Sequence, residues 1–381
     1  MKNFLTTSLF LICIYCNGQR LVFKPHNDSP WSLDFSGYVQ ADVIVDNKKL
    51  TYIDGYYPTY MESNQTDYNT YITMRQTLVG VGINNNDAGL RGYVEFNFIG
   101  PNNQTQFNLR KIYLTYKNWL IGQDWSTLND LGTWPNLLDF NGPNAALYAR
   151  RIQIKYLEKI SSKIEYAFSL EDPNTPSLTL PENDFMWKKN QIFPNVVGAF
   201  KYGAKSYIRG AAILSPISYK RNLNLSNDMQ KMQTTLGYGI HASSLLYTNA
   251  LSNFKLVAAA GSGIATNVIS FWEEGYDAVV DPNNPTRLQK LPVYSGVAAY
   301  EHWWNNRWSS VLFYSYSNVG KGKYMEKNQY KTIQHFGINT IYQPTSYFKT
   351  GFDFTYGFVD RYQVSTTFES ARLQLSTAFI F

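Results

Sequence analysis

The stretch that decides the fold is LRGYVEFNF, residues 90–98, in which apolar and polar side chains alternate without a break. One set contains Leu90, Gly92, Val94, Phe96 and Phe98, and the other contains Arg91, Tyr93, Glu95 and Asn97. Successive side chains of a β-strand point to opposite faces, so the pattern predicts a strand with one apolar and one polar face.

Segments of the same alternating type recur along the chain, and sustained helical periodicity is confined to the first residues. We predict strands at 32–45, 67–83, 89–99, 107–117, 119–124, 147–158, 162–171, 194–203, 205–215, 233–247, 253–263, 292–303, 307–317, 331–342, 346–358 and 369–381. Antiparallel closure into a barrel requires an even number of strands, and this prediction gives about sixteen.

Composition favours a membrane barrel over a soluble domain. Charged residues make up 16% of the 381 residues and aromatic residues another 16%, whereas soluble domains carry about 25% charge. No segment after the first residues has the apolar length of a transmembrane helix, which is roughly 20 residues. The chain is therefore expected to be all-β, a transmembrane antiparallel β-barrel whose apolar residues face lipid and whose polar residues face the lumen.

The predicted connections alternate between short and long. The short ones are 84–89, 117–118, 158–162, the turn near Gly203, 249–253, 305–307 and 344–346, and the long ones are 46–66, 124–146, 172–193, 216–232, 264–291 and 318–330. Outer-membrane barrels have short periplasmic turns and long extracellular loops, and the sequence predicts the same arrangement here.

The first residues have the pattern of a secretory signal: Lys2, an apolar run from Phe4 to Cys16, and small residues before a cleavage site after Gly18. We predict a signal peptide at 1–18, a short segment at 19–31 and a barrel at 32–381. An alternative, lipid attachment at Cys16, is disfavoured by the bulky Tyr15. The chain's two cysteines fall in this signal, which argues against thiolate metal sites and cysteine nucleophiles.

The last predicted strand, ARLQLSTAFIF at 371–381, is expected to pair with the first, LDFSGYVQADVIV at 33–45. Aromatic residues crowd the strand ends and are predicted to form interfacial girdles, with core packing as the alternative. They are Trp119, Trp125, Trp303, Trp304, Trp308, Tyr342, Tyr347, Tyr356 and Phe358.

The segment from Asn108 to Ile160 resembles the DcaP-like family of outer-membrane porins. The matching elements are LRKIYL, IGQDWSTLND, DFNGP and RRIQIKY, preceded by GYVEFNFIG and GYVQAD. The resemblance implies a trimer of sixteen-stranded barrels in the outer membrane of a Gram-negative bacterium, with a preference for anionic or dicarboxylic solutes. A terminal Phe381 on an alternating strand is also similar to the signal read by the barrel-assembly machinery.

Link 124–146 carries apolar residues that a solvated loop would not need, among them Leu128, Trp134 and Phe140. We predict that it folds into the barrel and narrows it. It would bring Asp124, Asp130 and Asp139 close to cations on the surrounding strands.

Those cations are Arg75, Arg91, Arg110, Lys111, Arg150, Arg151 and Lys155. The acidic Glu95 lies near them and is also predicted to line the pore. Arg151 and Lys155 share one face of their strand and are expected in the lumen, while Arg150 lies near the outer end of that strand. Strict alternation makes the adjacent Arg110 and Lys111 point in opposite directions, without deciding which enters the lumen. Lumenal cations favour anions; wall solvation and pairing with carboxylates are the alternative.

The sequence therefore predicts a porin for passive diffusion of small hydrophilic, preferably anionic solutes, with lipid around it and no cofactor. One alternative is an outer-membrane lipid hydrolase using His241 and Ser243 on the outer wall; another is a secreted soluble β-protein that binds glycans. The segment DPNNP at 281–285 could bind calcium or form a plain turn. A net charge of +6 without a basic run indicates no nucleic-acid partner.

Overall fold

The computed structural model describes residues 21–180, 187–221, 232–281, 283–284, 287–325 and 328–381. The predicted signal peptide at 1–18 lies outside these residues. No helix in the described part of the chain is long and apolar enough to cross a bilayer.

The secondary structure is almost entirely β. The strands are β1 Leu21–Phe23, β2 Trp31–Asp46, β3 Asn69–Thr73, β4 Leu78–Asn85, β5 Leu90–Ile99, β6 Thr105–Tyr116, β7 Trp119–Trp125, β8 Arg150–Lys159, β9 Ile164–Glu171, β10 Leu178–Thr179, β11 Trp187–Lys189, β12 Asn195–Gly203, β13 Tyr207–Arg221, β14 Gln233–Tyr247, β15 Ser252–Ser262, β16 Ala278–Val280, β17 Leu288–Lys290, β18 Pro292–Trp303, β19 Trp308–Val319, β20 Tyr330–Thr345, β21 Phe348–Arg361 and β22 Phe368–Ile380. Single 3₁₀ turns occur at Pro58–Tyr60, Pro101–Asn103, Leu131–Thr133, Ala265–Asn267 and Ile269–Phe271.

The wall is a closed antiparallel barrel of sixteen strands, as the alternation predicted. Two wall strands are interrupted: β3 and β4 both pair with β2, and β11 and β12 both pair with β13. Closure is made by β2 and β22, which pair from Tyr38↔Ile380 to Asp46↔Arg372. The N–H of Phe381 donates to the Gly37 carbonyl at 3.0 Å, and the Gly37 N–H donates back at 2.8 Å.

The two ends of the barrel differ as expected. One end, here called the short-turn end, has tight turns such as 117–118 and 346–347 between its strands. The other, the long-loop end, carries the links 47–68, 126–149 and 263–291. Strand β1 pairs with the part of β2 beyond the end of β22, with Leu21 opposite Phe35, and so extends the wall at the short-turn end.

The outer face is apolar and the inner face is polar. On β14, Leu236, Tyr238 and Ile240 are exposed on the outside, whereas His241 and Ser243 are buried inside. This arrangement places uncharged side chains against lipid, where an Arg or Lys would cost roughly 2–4 kcal/mol. Trp119 and Trp308 are exposed near the short-turn end, but Trp125 points inward and is buried, so its assignment to a girdle was wrong.

The predicted strand at 67–83 is broken at residues 74–77. The Thr77 N–H donates to the Met74 carbonyl, and the Thr77 hydroxyl accepts from the Gln40 N–H at 3.1 Å. The Arg75 N–H donates to the Thr73 hydroxyl at 3.2 Å. These side-chain hydrogen bonds replace ladder bonds and interrupt the strand. The prediction of a continuous strand carrying Arg75 was therefore wrong.

The prediction that Arg110 and Lys111 point in opposite directions was also wrong. The pairing of β5 with β6 runs from Glu95↔Lys111 to Phe96↔Leu109, which leaves Arg110 as an extra residue in a β-bulge. A bulge re-aims a side chain that alternation would send outward. Both cations are consequently buried inside the barrel, where both reach Glu95.

Candidate pore constriction

Link 126–149, here called the inward loop, crosses the interior and contacts the wall on the far side. The Asn136 N–H donates to Glu301 on β18 at 3.1 Å, and the Leu138 N–H donates to Asp353 on β21 at 3.1 Å. The Asn144 amide donates to the Tyr56 carbonyl and contacts Nδ1 of His335 on β20 at 2.8 Å. Side chains of several wall strands thus hold the backbone of this loop.

Three cations of the far wall bind the inward loop rather than facing a channel. Arg209 donates to the carbonyls of Thr127 and Leu128, and Lys255 donates to the Trp134 carbonyl at 2.9 Å. Lys349 donates to the Asn136 side chain at 2.9 Å. None of the three was among the sequence-predicted site residues, although each lies on the polar face of an alternating strand.

Asp139 is the ionic anchor of the loop. One carboxylate oxygen accepts from the N–H groups of Asn141 and Gly142, at 2.9 and 3.2 Å, and the other lies 3.6 Å from Arg372. Arg372 also pairs with Asp46 at 2.7 Å and is only 1% exposed. Burial raises the pKa of Asp139, while Arg372 and the backbone donors oppose that rise.

The charge of Asp130 suggested an ion pair, but the residue acts as a hydrogen-bond acceptor. It accepts from the Tyr207 hydroxyl at 3.0 Å and from the Ser243 hydroxyl at 2.6 Å, and it caps the 3₁₀ turn at Leu131–Thr133. Ser243 and His241 both face the interior. The outer-wall hydrolase site that the sequence left open is therefore not formed by these two residues.

Cations gather on the wall from β5 to β8. Arg110 and Lys111 share a single carboxylate, Glu95, at 3.2 and 2.9 Å. The Phe140 ring of the inward loop lies 5.0 Å from the Arg110 guanidinium. Because two cations meet one anion here, the cluster keeps a net positive charge.

Arg150 and Arg151 add further positive charge. Neither forms an ion pair with a carboxylate within the described ranges of the chain, and each has a buried nitrogen without a hydrogen-bond partner there. The Arg150 guanidinium lies 5.0 Å from the Trp125 ring, and Arg151 reaches the Asn267 side chain at 3.4 Å. Lys155 lies 3.6 Å from Asp124.

The remaining predicted cations are neutralised by close partners. Arg91 makes two hydrogen bonds to the Asp34 carboxylate, at 2.8 and 3.0 Å. Arg75 pairs with Asp54 of link 47–68 at 3.0 Å. The structure therefore brings Glu95, Arg110, Arg150, Arg151, Lys155 and Asp124 together on one wall, and places Arg75, Arg91, Asp130 and Asp139 in separate contacts.

A second link folds inward, which we did not predict. Residues 264–271 are buried and lie against the inward loop, where Leu147 bridges to Val268 and the Ile269 N–H donates to the Ala146 carbonyl at 3.1 Å. The link then forms a three-stranded sheet from β16, β17 and β10. Its apolar residues include Ile264 and Phe271. They indicate an inward fold in the same way as the apolar residues of link 124–146.

Asp277 joins this second link to the link that follows β9, which contains Ser177. Its carboxylate accepts from the Thr266 N–H at 2.9 Å and from the Ser177 N–H at 2.6 Å. Burial raises the pKa of Asp277 to about 6 and that of nearby Glu274 to about 7. In the part of the chain that the structure describes, no group of three or more His, Asp or Glu side chains could hold a metal ion. Two residues of the 281–285 segment, 282 and 285, lie outside it.

A closed sixteen-stranded barrel with an apolar outside, a charged inside and inward-folded loops defines an outer-membrane porin. The chain belongs to the DcaP outer membrane protein family, whose model matches residues 33–376. It is accordingly a protein of the Gram-negative outer membrane. No match to a curated protein was found.

Three solved structures illustrate the likeness in fold. The outer membrane channel DcaP of Acinetobacter baumannii is 17% identical with a TM-score of 0.79, over 95% of this chain and 100% of that one. An anion-selective porin from Comamonas acidovorans is 10% identical with a TM-score of 0.60, over 92% and 100%. OmpT of Vibrio cholerae, in its trimer form, is 11% identical with a TM-score of 0.55, over 93% and 100%.

Proposed function

We propose that the porin conducts small hydrophilic solutes by passive diffusion and favours anions, including dicarboxylates. The observation that carries the proposal is the order of exposure within two ion pairs of the barrel interior, Arg91 with Asp34 and Lys155 with Asp124. The Arg91 side chain is 12% exposed and its partner Asp34 is 3% exposed; Lys155 is 13% exposed and Asp124 is 7% exposed. In these two pairs water inside the barrel thus meets the cation before the anion, whereas Arg110 and Glu95 are covered about equally, at 5% and 7% exposed.

The acidic residues of the other wall support the same polarity. Asp353 is 1% exposed and accepts hydrogen bonds from the inward loop, and Asp42 is fully buried among Gln40, Gln374 and Ser376. These carboxylates are held by hydrogen bonds, whereas Arg150 and Arg151, of which Arg151 is 9% exposed, have no carboxylate partner among the described residues. Rings or clusters of Arg and Lys in a narrow passage favour anions.

In this proposal the inward loop forms the narrowest part of the channel, and the protein has no enzymatic activity. The assembly is proposed to be a homotrimer, because the chain resembles porins that include the trimeric form of OmpT. The wall is expected to contact lipid, and Phe381 is proposed to be read by the barrel-assembly machinery.

Solute flux into liposomes tests the proposal. Liposomes containing the purified protein should swell in solutions of succinate faster than in solutions of 1,4-diaminobutane, which has a similar length and the opposite charge. Empty liposomes serve as the control for leakage. Equal swelling with and without protein would contradict the channel, and faster entry of the diamine would contradict the anion preference.

A further inference from the structure

Arg150, at the start of β8, is a cation without a partner beside the inward loop. The residue is partly exposed, and within the described ranges its guanidinium forms no hydrogen bond or ion pair, although its Nη1 is buried. The carboxylate that acts on it electrostatically, Glu95, is already shared by Arg110 and Lys111 at 3.2 and 2.9 Å. An unpaired buried donor is unfavourable, so Arg150 is available to bind an anion that enters the lumen.

A stack of aromatic rings holds a hydroxyl group near this cation. The Tyr148 ring packs against those of Trp125 and Trp134, with centroid distances of 4.1 and 4.3 Å, and Trp125 in turn lies 5.0 Å from the Arg150 guanidinium. Tyr148 is partly exposed, and its hydroxyl has no hydrogen-bond partner among the described residues. Tyr148 also acts electrostatically on Arg150. The stack therefore holds a free hydroxyl and a free cation close enough for one solute to contact both.

Three more tyrosines extend this lining towards the long-loop end. Tyr52, Tyr57 and Tyr60 lie on the link after β2 and pack as a cluster, with ring centroids 5.1, 5.4 and 6.2 Å apart. All three are partly exposed, and their hydroxyls have no hydrogen-bond partner in the described part of the chain. Tyr57 packs against the same apolar cluster as Tyr148 and acts electrostatically on Arg150. These four tyrosines, here called the tyrosine path, thus present apolar rings and free hydroxyls beside Arg150.

This lining has three chemical properties that a matching solute should answer together. Arg150 requires an anionic group, the tyrosine rings favour an apolar surface, and the free hydroxyls favour several hydrogen-bonding groups. An aliphatic dicarboxylate supplies only the charge, and an aromatic acid supplies charge and an apolar face but leaves the hydroxyls to water. A sugar acid supplies all three, because its pyranose ring carries a carboxylate, a face of C–H groups and a series of hydroxyls.

We propose that the tyrosine path and Arg150 form a binding site for sugar acids of the hexuronate type. The carboxylate of the solute pairs with Arg150, its hydroxyls bond to those of Tyr57 and Tyr148, and its C–H face packs on the tyrosine rings. Binding of this kind raises the local solute concentration and stays weak enough for release, as a diffusion pore requires. The inference deepens the proposed function by naming a substrate class, and it rests on the anion-favouring pore proposed above.

Block of the single-channel KCl current measures the binding of individual solutes. Glucuronate is compared with glucose, which lacks the charge, and with cyclohexanecarboxylate, which keeps a six-membered ring and the charge but lacks the hydroxyls. Glucuronate should reach half-block at a concentration roughly fivefold lower than either comparison solute, because one net hydrogen bond is worth about that factor. Equal half-blocking concentrations for glucuronate and either comparison solute would overturn the inference.

Two variants test the site itself. Tyr57→Phe and Tyr148→Phe remove a hydroxyl and keep the ring, and heat-modifiable migration on gels identifies the folded barrel in each. Each should raise the half-blocking concentration of glucuronate roughly fivefold and change that of cyclohexanecarboxylate less. Tyr68→Phe, at the end of the link that carries Tyr57 and 75% exposed, is the matched control and should bind glucuronate like the wild type. Wild-type block by glucuronate in both Tyr57→Phe and Tyr148→Phe would overturn the proposed site.

Reversal potentials in KCl alone test the pore separately from the site. A channel that prefers chloride but is blocked equally by all three solutes overturns the sugar-acid site and leaves the anion-favouring pore. A preparation that conducts no ions, or that prefers potassium, contradicts the proposed function and this inference with it.

Discussion

The guanidinium of Arg372 on the last strand lies 3.6 Å from the carboxylate of Asp139 on the inward loop. The strand that closes the barrel thus also holds the loop that crosses it. Both residues are almost completely buried, and Asp46 shares the same guanidinium at 2.7 Å. Closure of the wall and docking of the loop are therefore coupled through one side chain.

Asp139→Asn should loosen the inward loop without opening the wall. The substitution removes the ion pair with Arg372 but leaves the Asp46 pair intact, and the loss of such a buried charge-assisted contact costs about 1–3 kcal/mol. Single-channel recordings should show higher or more variable conductance than the wild type. Asp87→Asn, at an exposed short turn, is the control and should match the wild type. Unchanged conductance in Asp139→Asn would contradict the role of this pair.

Removing residues 128–140 should widen the channel. The deletion removes Asp130 and Asp139 together with loop acceptors of Arg209, Lys255 and Lys349, although Arg209 keeps the Thr127 carbonyl and Lys255 keeps Glu301. The passage should therefore become wider and more cationic. Single-channel conductance should rise, provided that gels show the heat-modifiable barrel. A folded variant with the wild-type conductance would show that the inward loop does not form the narrowest point.

A lower pH should favour the docked state of link 263–291, which narrows the entrance of the channel at the long-loop end. Burial raises the pKa of Glu274 to about 7 and that of Asp277 to about 6, so the docked link 263–291 favours the protonated carboxyls. A raised carboxyl pKa means that the docked state gains stability as the pH falls through these values and loses it as the pH rises. Conductance should therefore be lower at pH 5 than at pH 8.

Glu274→Gln isolates the contribution of one group to that pH dependence. The amide imitates the protonated carboxyl, so the variant at pH 8 should have a conductance closer to that of the wild type at pH 5. Its conductance should also change less between the two pH values. A variant whose pH profile coincides with that of the wild type would exclude Glu274 as the responsible group.

The strand positions could be predicted because successive side chains of a strand point to opposite faces. Lipid requires apolar residues on one face and the lumen accepts polar residues on the other, so the sequence alternates with the same period. The positions of individual charges could not all be predicted in this way. Arg110 enters the lumen only because a bulge shifts it, and that bulge lets Arg110 and Lys111 share Glu95 across the strand pair. Arg75 leaves the strand because Thr77 bonds to Gln40 and Asp54 draws its guanidinium away.

The conformation of the loops could also be predicted only in part. The apolar residues of link 124–146 predicted that it folds inward, but the far-wall partners depend on tertiary contacts such as Asn136 with Glu301. The second inward link carries the same signal, because Ile264, Val268 and Phe271 are apolar and all three are buried.

Deleting Phe381 should reduce assembly more than it changes conduction. Its backbone forms two hydrogen bonds with Gly37, and its ring lies 6.3 Å from that of Phe379. The amount of heat-modifiable barrel in outer membranes should fall, while the channels that do form should conduct normally. Phe381→Trp keeps both the backbone pair and an aromatic ring and should assemble well. Normal assembly of the deletion variant would exclude Phe381 as an assembly signal.

The reversal potential of single channels across a KCl gradient tests the central claim most directly, namely a diffusion pore whose accessible charges are cationic. The wild type should have the sign of an anion-preferring channel. Arg150→Gln combined with Arg151→Gln should move the potential toward zero, because these cations have no carboxylate partners in the described part of the chain. Arg91→Gln should move it less, because Asp34 already neutralises that charge. A cation-preferring wild type, or equal shifts in the two variants, would contradict the account.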